Sequence, residues 1–199
     1  MEHPSLFFPM LRSLILCIFF LICIGCHRAE QDISSQMAAS THYVGRETCR
    51  PCHENIYAQY TGSDHDLAMD FATDETVLGD FNNASFNHLG VISKFYKRDG
   101  RFFVFTEGFK DKFQEFAIKY TFGARPLQQY LVEFPDGRVQ TLPLCWDTRS
   151  KEQGGQRWFH LYPENSPRPG DPLHWSGIDQ NWNYQCADCH STNLRKNYD

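Results

Sequence analysis

Two five-residue frames of one pattern stand near opposite ends of the chain: Cys49-Arg50-Pro51-Cys52-His53 and Cys186-Ala187-Asp188-Cys189-His190. Cys-x-x-Cys-His sets two thiols on one turn of backbone with an imidazole directly after them. At that spacing each thiol can add to one vinyl group of a porphyrin, and the imidazole then lies under the iron as its proximal ligand. This is the c-type haem attachment pattern. Cys49, Cys52 and His53 are expected to carry one covalent haem c, and Cys186, Cys189 and His190 a second.

Three other chemistries use paired thiols, namely a redox dithiol, a disulfide and a four-thiolate zinc site. Zinc ribbons separate their two pairs by roughly 15–20 residues, whereas here most of the chain lies between Cys52 and Cys186. A thioredoxin-like dithiol calls for a βαβ setting, and no such alternation surrounds either pair. A histidine directly after both pairs arises by chance about once in a thousand, so haem is the expected ligand.

An iron with one histidine has an open sixth position, and its occupant separates electron transfer from bond-making chemistry. His65, His88 and His174 are the candidate distal ligands, with His160 and Met69 behind them. His65 comes a dozen positions after the first frame in "YTGSDHDLAM", a segment expected to form a second short helix. His160 alternates with Trp158 and Tyr162 as in a strand face, and Met69 suits a core position.

The elements that must hold these groups change in texture along the chain. "CHENIYAQY" is helix-compatible. From about Phe81 to Tyr162 the pattern is β-rich. "KFYKRDGRFFVF" reads as two strands around an Asp99-Gly100 turn. "FAIKYTF" alternates, with Phe116, Ile118, Tyr120 and Phe122 on one face. "QYLVEFPDGRVQTLPLCW" reads as another hairpin turned by Pro135, Asp136 and Gly137, with Cys145 as a small buried hydrophobe. "YPENSPRPGDP" is a proline-rich loop leading to the second frame. The expected fold class is α+β, an antiparallel β-hairpin module between two short-helix and loop segments that carry the haem frames. Most aromatics suit the sheet core, while Trp175, Trp182 and Tyr184 are placed to line a macrocycle.

Composition narrows the setting. A formal net charge of -5 and the lack of a long basic run argue against nucleic acid as a partner, and no phosphate-cradling glycine pattern occurs. "SLILCIFFLICIG" is too short to span a bilayer and reads as a signal-peptide core. A start at Met10 gives the more orthodox leader. The run ends at Gly25-Cys26, which resembles a bacterial lipobox with Cys23 where Leu is usual, so residues 1–26 are expected to be a signal peptide and Cys26 a lipid anchor. Residues 27–42 form a polar tether, and 43–199 a dihaem cytochrome domain. In an exported chain eight cysteines would suggest disulfides, yet three fall in the leader and four in the frames, leaving Cys145 alone; a Cys26–Cys145 bridge is the less favoured pairing.

"YVGRETCRPCHENIYAQYTGSDHDLAM" resembles the opening of multihaem cytochromes of the c-552/c-554 family. "YTFGARPLQQYLVEFPDGRVQTLPLCWD", "GGQRWFHLYP" and "NWNYQCADCHSTNLRKNYD" resemble the cytochrome region of larger bacterial proteins that carry tetratricopeptide repeats. The resemblance implies covalent haem, electron exchange with redox protein partners on the periplasmic side of a bacterial membrane, and a distal-ligand role for His65. Such proteins continue into further haem frames and helical repeats, whereas this sequence ends at Asp199. One alternative is the haem-binding part of a larger multihaem protein; another is a haem-dependent oxidoreductase in which one iron lacks a distal ligand and acts on a small nitrogen or oxygen compound.

Overall fold

β-branched and aromatic residues crowd the stretch from Ala84 to His160, and they fold into strands because such side chains pack well on a pleated surface. The strands are β1 (Met69–Phe71), β2 (Ala84–His88), β3 (Val91–Arg98), β4 (Arg101–Glu107), β5 (Phe113–Phe122), β6 (Leu127–Glu133), β7 (Val139–Thr141), β8 (Leu144–Asp147) and β9 (Arg157–His160). This computed structural model describes residues 42–165 and 167–194. The leader, the lipobox-like Cys26 and the tether up to residue 41 lie outside the described residues. The chain divides after Thr48. Of the first unit, residues 42–48 are described: they are exposed and include a 3-10 turn at Arg46–Thr48.

All pairings are antiparallel, in the order β2-β3-β4-β5-β6-β8-β9, with β1 beside β5 and β7 beside β6. The sheet coils into a nearly closed barrel. The expectation of an α+β fold is therefore overturned. Helix among the described residues amounts to α1 (Glu54–Tyr60), α2 (Trp182–Gln185) and α3 (Ala187–His190), plus 3-10 turns. Pieces this short cannot offset helix nucleation on their own and build no layer, so the hairpins dominate the architecture.

The β3–β4 hairpin turns at Asp99-Gly100 as expected, with both residues at positive φ, 51° and 73°. That is the two-residue turn whose twist matches the strands it joins. β6 and β7 reverse through Pro135-Asp136-Gly137, with Phe134 N–H donating to the Arg138 carbonyl at 2.8 Å. Pro143, which has no N–H to give, falls where pairing passes from β7 to β8 along the same β6 partner.

Phe81 is the hub of the main core, meeting Phe95, Phe102, Tyr130 and Trp158 edge-on at 5.1–5.8 Å. Phe95 and Trp158 stack at 3.6 Å. Cys145 is fully buried, as expected of a small core residue. Trp175 also belongs to this core, its indole N–H donating to the Glu107 carbonyl at 2.7 Å, so the tryptophan expected beside a macrocycle is a core residue.

Strand β5 departs from simple alternation at one point. In the β5–β6 pair Ile118 faces Val132 and Tyr120 faces Leu131, so Lys119 is an extra residue, a β-bulge. Bulges re-aim the side chains beyond them. Phe116 and Ile118 enter the main core, while Tyr120 and Phe122 turn to a second cluster built on Leu131, Val139, Trp182 and Ala187. The four residues expected on one face thus serve two.

Candidate functional site

The two frames fold alike. In the first, the Cys49 carbonyl accepts from Cys52 N–H at 3.3 Å and from His53 N–H at 3.1 Å. In the second, the Cys186 carbonyl accepts from Cys189 N–H at 3.1 Å and from His190 N–H at 3.0 Å. Each frame is therefore one hydrogen-bonded helical turn that presents two thiols and an imidazole from one short arc. Among the described residues neither His53 nor His190 makes a side-chain hydrogen bond, which leaves both rings free to ligate.

The first frame opens α1, a seven-residue helix. Arg50 pairs with Glu54 across one turn at 3.2 Å and lies over the Tyr57 ring at 5.0 Å, fixing the frame to its helix. Such exposed contacts contribute little stability but set a local geometry. Cys49, Cys52 and His53 are exposed, and so are Ile56 and Tyr60 further along the helix.

The second frame is sewn to the sheet. Asn181 caps α2 by accepting from Tyr184 N–H, and its amide donates to Gln140 Oε1 at 2.8 Å. Gln140, fully buried on β7, in turn donates to the Trp175 and Gly177 carbonyls, both at 2.8 Å. Asn183 Oδ1 accepts from Val139 N–H at 2.8 Å. These bonds hold α2 and therefore Cys186 against β7. Cys186 and Ala187 pack on the second cluster, and the His190 ring meets Phe122 edge-on at 5.0 Å. Burial first, and then Cys189 beside it, push the Cys186 thiol above its ordinary pKa. A redox-active dithiol needs the opposite displacement.

The surroundings of both frames fit a macrocycle. Exposed apolar side chains flank them, Ile56 at 63% and Tyr184 at 65% exposure among others, and a large flat ring would cover such surface. Trp182 Nε1, buried in the cluster that holds Cys186, has no hydrogen-bond acceptor among the described residues, as Trp146 Nε1 in the main core also has none. Among the described residues no three His, Cys, Asp or Glu side chains gather into an ion-sized cage, so the four frame thiols stand as two separate pairs.

The other histidines divide into two groups. His88 on β2 and His160 on β9 stack face to face, 3.7 Å between centroids and 3° between planes, across the gap where the first and last strands of the sheet share no ladder. With His174 they line a cavity of about 50 Å³, large enough to admit water. His88 Nε2 lies 3.1 Å from the Asn165 carbonyl, His160 Nδ1 2.9 Å from the Tyr162 carbonyl, and His174 Nδ1 2.8 Å from Ser176 Oγ. Burial, then the His88 charge, bring the His160 pKa down to about 4, against a smaller opposing effect of the Tyr162 carbonyl. Burial also lowers that of His174.

His65 stands apart from that cavity. Its segment is not the second helix expected but a run of hydrogen-bonded turns, in which Leu67 N–H donates to the Ser63 carbonyl at 3.0 Å and Ala68 N–H to the His65 carbonyl at 3.4 Å. Its imidazole is exposed and makes no hydrogen bond among the described residues. Sequence reasoning missed the role of Phe122 against His190; the residue sits on an alternating strand, and only the bulge turns it outward.

Comparison with protein-family models, curated proteins and solved structures finds no match to this chain. No helix among the described residues is long and apolar enough to cross a membrane.

Proposed function

We propose that this chain is a dihaem c-type cytochrome, akin to the c-552/c-554 multihaem cytochromes, that passes single electrons between redox protein partners on the periplasmic side of a bacterial membrane. Cys49 and Cys52 would hold one haem with His53 as proximal ligand, and Cys186 and Cys189 the other with His190. The observation that carries this reading is the repeated turn: the same five-residue pattern folds into the same pair of hydrogen bonds twice, each time with an unengaged imidazole. Haem bound in this way supplies a reversible one-electron couple whose potential depends on ligation, burial and hydrogen bonding.

The chain's own residues do the rest. The Asn181–Gln140 bond and the cap on α2 fix where Cys186 and His190 stand. The cluster of Leu131, Val139 and Trp182 excludes water from one side of the second frame, and exclusion of water tunes a redox site. Ile56 and Tyr60 give the first frame an apolar margin that remains open to a partner surface. Cys26, if lipidated, would keep the domain at the membrane.

The test is covalent haem content. The full chain is matured in a host with c-type haem ligation machinery, extracted with acid acetone to strip loose haem, and assayed as the pyridine haemochrome. Two haems per chain are expected, falling to one in C49A/C52A and one in C186A/C189A. Protein that retains no haem after extraction refutes the reading.

A further inference from the structure

The cavity lined by His88, His160 and His174 does not end at its own walls. Tyr162, Pro167, Leu173 and Gln180 line it and also line an adjoining cleft of about 530 Å³. The two form one recess, a small chamber with a wide mouth, and no residue of either haem frame lines it. Its lip is a bonded turn. His174 N–H donates to the Asp171 carbonyl at 3.0 Å, Gly177 N–H to the His174 carbonyl at 2.7 Å, and Leu173 N–H to Asp171 Oδ1 at 2.8 Å.

The polar groups of the chamber are few, and their protons can be placed. Ser176 N–H lies 3.2 Å from His174 Nδ1, and Ser176 Oγ 2.8 Å from it. A backbone N–H can only donate, so Nδ1 is the acceptor and Nε2 carries the proton of the neutral ring. His174 is buried, and that Nε2–H has no acceptor among the described residues. His88 Nε2 faces the Asn165 carbonyl, which can only accept, so in the neutral ring His88 Nδ1 is left as an acceptor. Val91, Leu142, Leu144 and Trp175 make the rest of the wall largely apolar. A metal ion cannot bridge the stack, because imidazole binds a metal in its own plane and the planes of His88 and His160 run 3° from parallel with 3.7 Å between centroids. Charge narrows the ligand further. Glu107 borders the chamber and Asp171 the cleft, with neither Lys nor Arg among the described lining residues, so an anion is repelled. The burial that lowers the pKa of His160 and of His174 penalises a cationic head group there for the same reason.

We propose that this recess binds a small uncharged molecule with a hydroxyl head on an apolar body. The head enters the chamber, where His174 Nε2–H donates to its oxygen and His88 Nδ1 accepts from its O–H. A hydroxyl satisfies both nitrogens at once, being donor and acceptor together. The chamber is too small for the body, since an apolar cavity that takes benzene measures about 150 Å³. The body therefore lies in the cleft against Tyr162, Pro167 and Leu173, the last of which stands 56% exposed and is covered when the site fills. The site is built from the barrel and its 171–177 turn alone and does not rest on the dihaem reading.

The experiment is isothermal titration calorimetry of the full chain at about pH 7.5 with benzyl alcohol, benzylammonium and benzoate, three probes that share a ring and differ in the charge of the head. Benzyl alcohol is expected to bind saturably, one per chain, and about tenfold more tightly than either ion. H174F keeps a flat ring but removes the Nε2–H, and is expected to weaken benzyl alcohol about tenfold, the loss of one hydrogen bond. L173A acts from an exposed position and is expected to weaken it several-fold by stripping the cleft of apolar contact. Should H174F fail to fold, L173A and the charge series decide the matter. Benzyl alcohol that does not saturate, an ion that binds as tightly, or an affinity unchanged in L173A or in folded H174F overturns the proposal. Covalent haem is counted in the same preparation, and the site is expected to bind whatever that count, so the two readings fail separately.

Discussion

Acidification should loosen the barrel at one seam, and the size of the effect can be worked from His160. Its ring lies flat on His88 where β9 approaches β2, and burial, together with the His88 charge, brings its pKa from 6.5 to about 4. The groups facing it are His88 from β2, Glu107 from the end of β4, and His174 and Tyr162 from the loops around the cavity. A histidine whose folded pKa is depressed binds its proton more readily when unfolded. Its contribution is therefore complete above about pH 6.5 and is lost as pH falls toward 4. At about 1.4 kcal/mol per pH unit the ceiling is about 3 kcal/mol. The ring is half-buried, and solvent screening reduces this to about 1–2 kcal/mol between pH 7.5 and 4.5. Urea unfolding across that range, monitored by tryptophan fluorescence, measures it. H160F keeps a flat ring on His88 but cannot titrate, so its stability should fall less steeply with acid by that amount. Carboxylates titrate in both proteins and cancel in the comparison. Parallel stability curves for wild type and H160F would refute the reasoning.

Two structural substitutions and one anchoring substitution extend the tests. Y130F removes the hydroxyl that accepts from Gly79 N–H at 2.9 Å and donates to Gln128 Oε1 at 2.9 Å, leaving a half-buried donor unpaired, and should cost about 1–2 kcal/mol in urea unfolding. Gln128 Oε1 keeps its bond from Leu78 N–H at 2.8 Å, so the loss should stop there. G155A would set a Cβ 2.2 Å from the Arg149 carbonyl oxygen; backbone must move, and a loss of about 1–3 kcal/mol is expected by the same assay. C26S is expected to release the mature protein from membrane pellets into the soluble periplasmic extract, and continued sedimentation with membranes would assign anchoring to the apolar run of residues 13–25.

The strands were legible because their signals are local. Asp99-Gly100 dictates a tight reversal whatever surrounds it, and Pro135-Asp136-Gly137 another. The fold class was not. A frame such as Cys49–His53 continued by "ENIYAQY" carries a helix signal, and two such segments suggest a helical layer. Yet a helix holds a place in a layer by burying an apolar face over several turns, and α1 has no buried residue. Closure of the sheet was equally hidden, because β2 and β9 meet through the stack of His88 on His160, which are 72 positions apart and announce nothing to each other in sequence.

The site was legible in its chemistry and not in its partnerships. Cys-x-x-Cys-His names two thiols and a ligand without reference to the fold, which is why both frames could be read directly. A sixth ligand is instead a tertiary contact, and sequence distance misleads about it. The surroundings of the second frame hang on a single extra residue, Lys119. Without that bulge Phe122 would continue the alternation of Phe116 and Ile118 into the main core, and the end of β5 would offer His190 no ring to pack against. With it, Tyr120 and Phe122 turn outward together and form part of the floor on which the second frame rests. On the dihaem reading, removing the Phe122 ring should therefore disturb the second haem more than the first. F122A takes away the ring that His190 packs against, so the absorption spectrum of the second haem should shift, while the first frame, which rests on its own helix, should keep its spectrum.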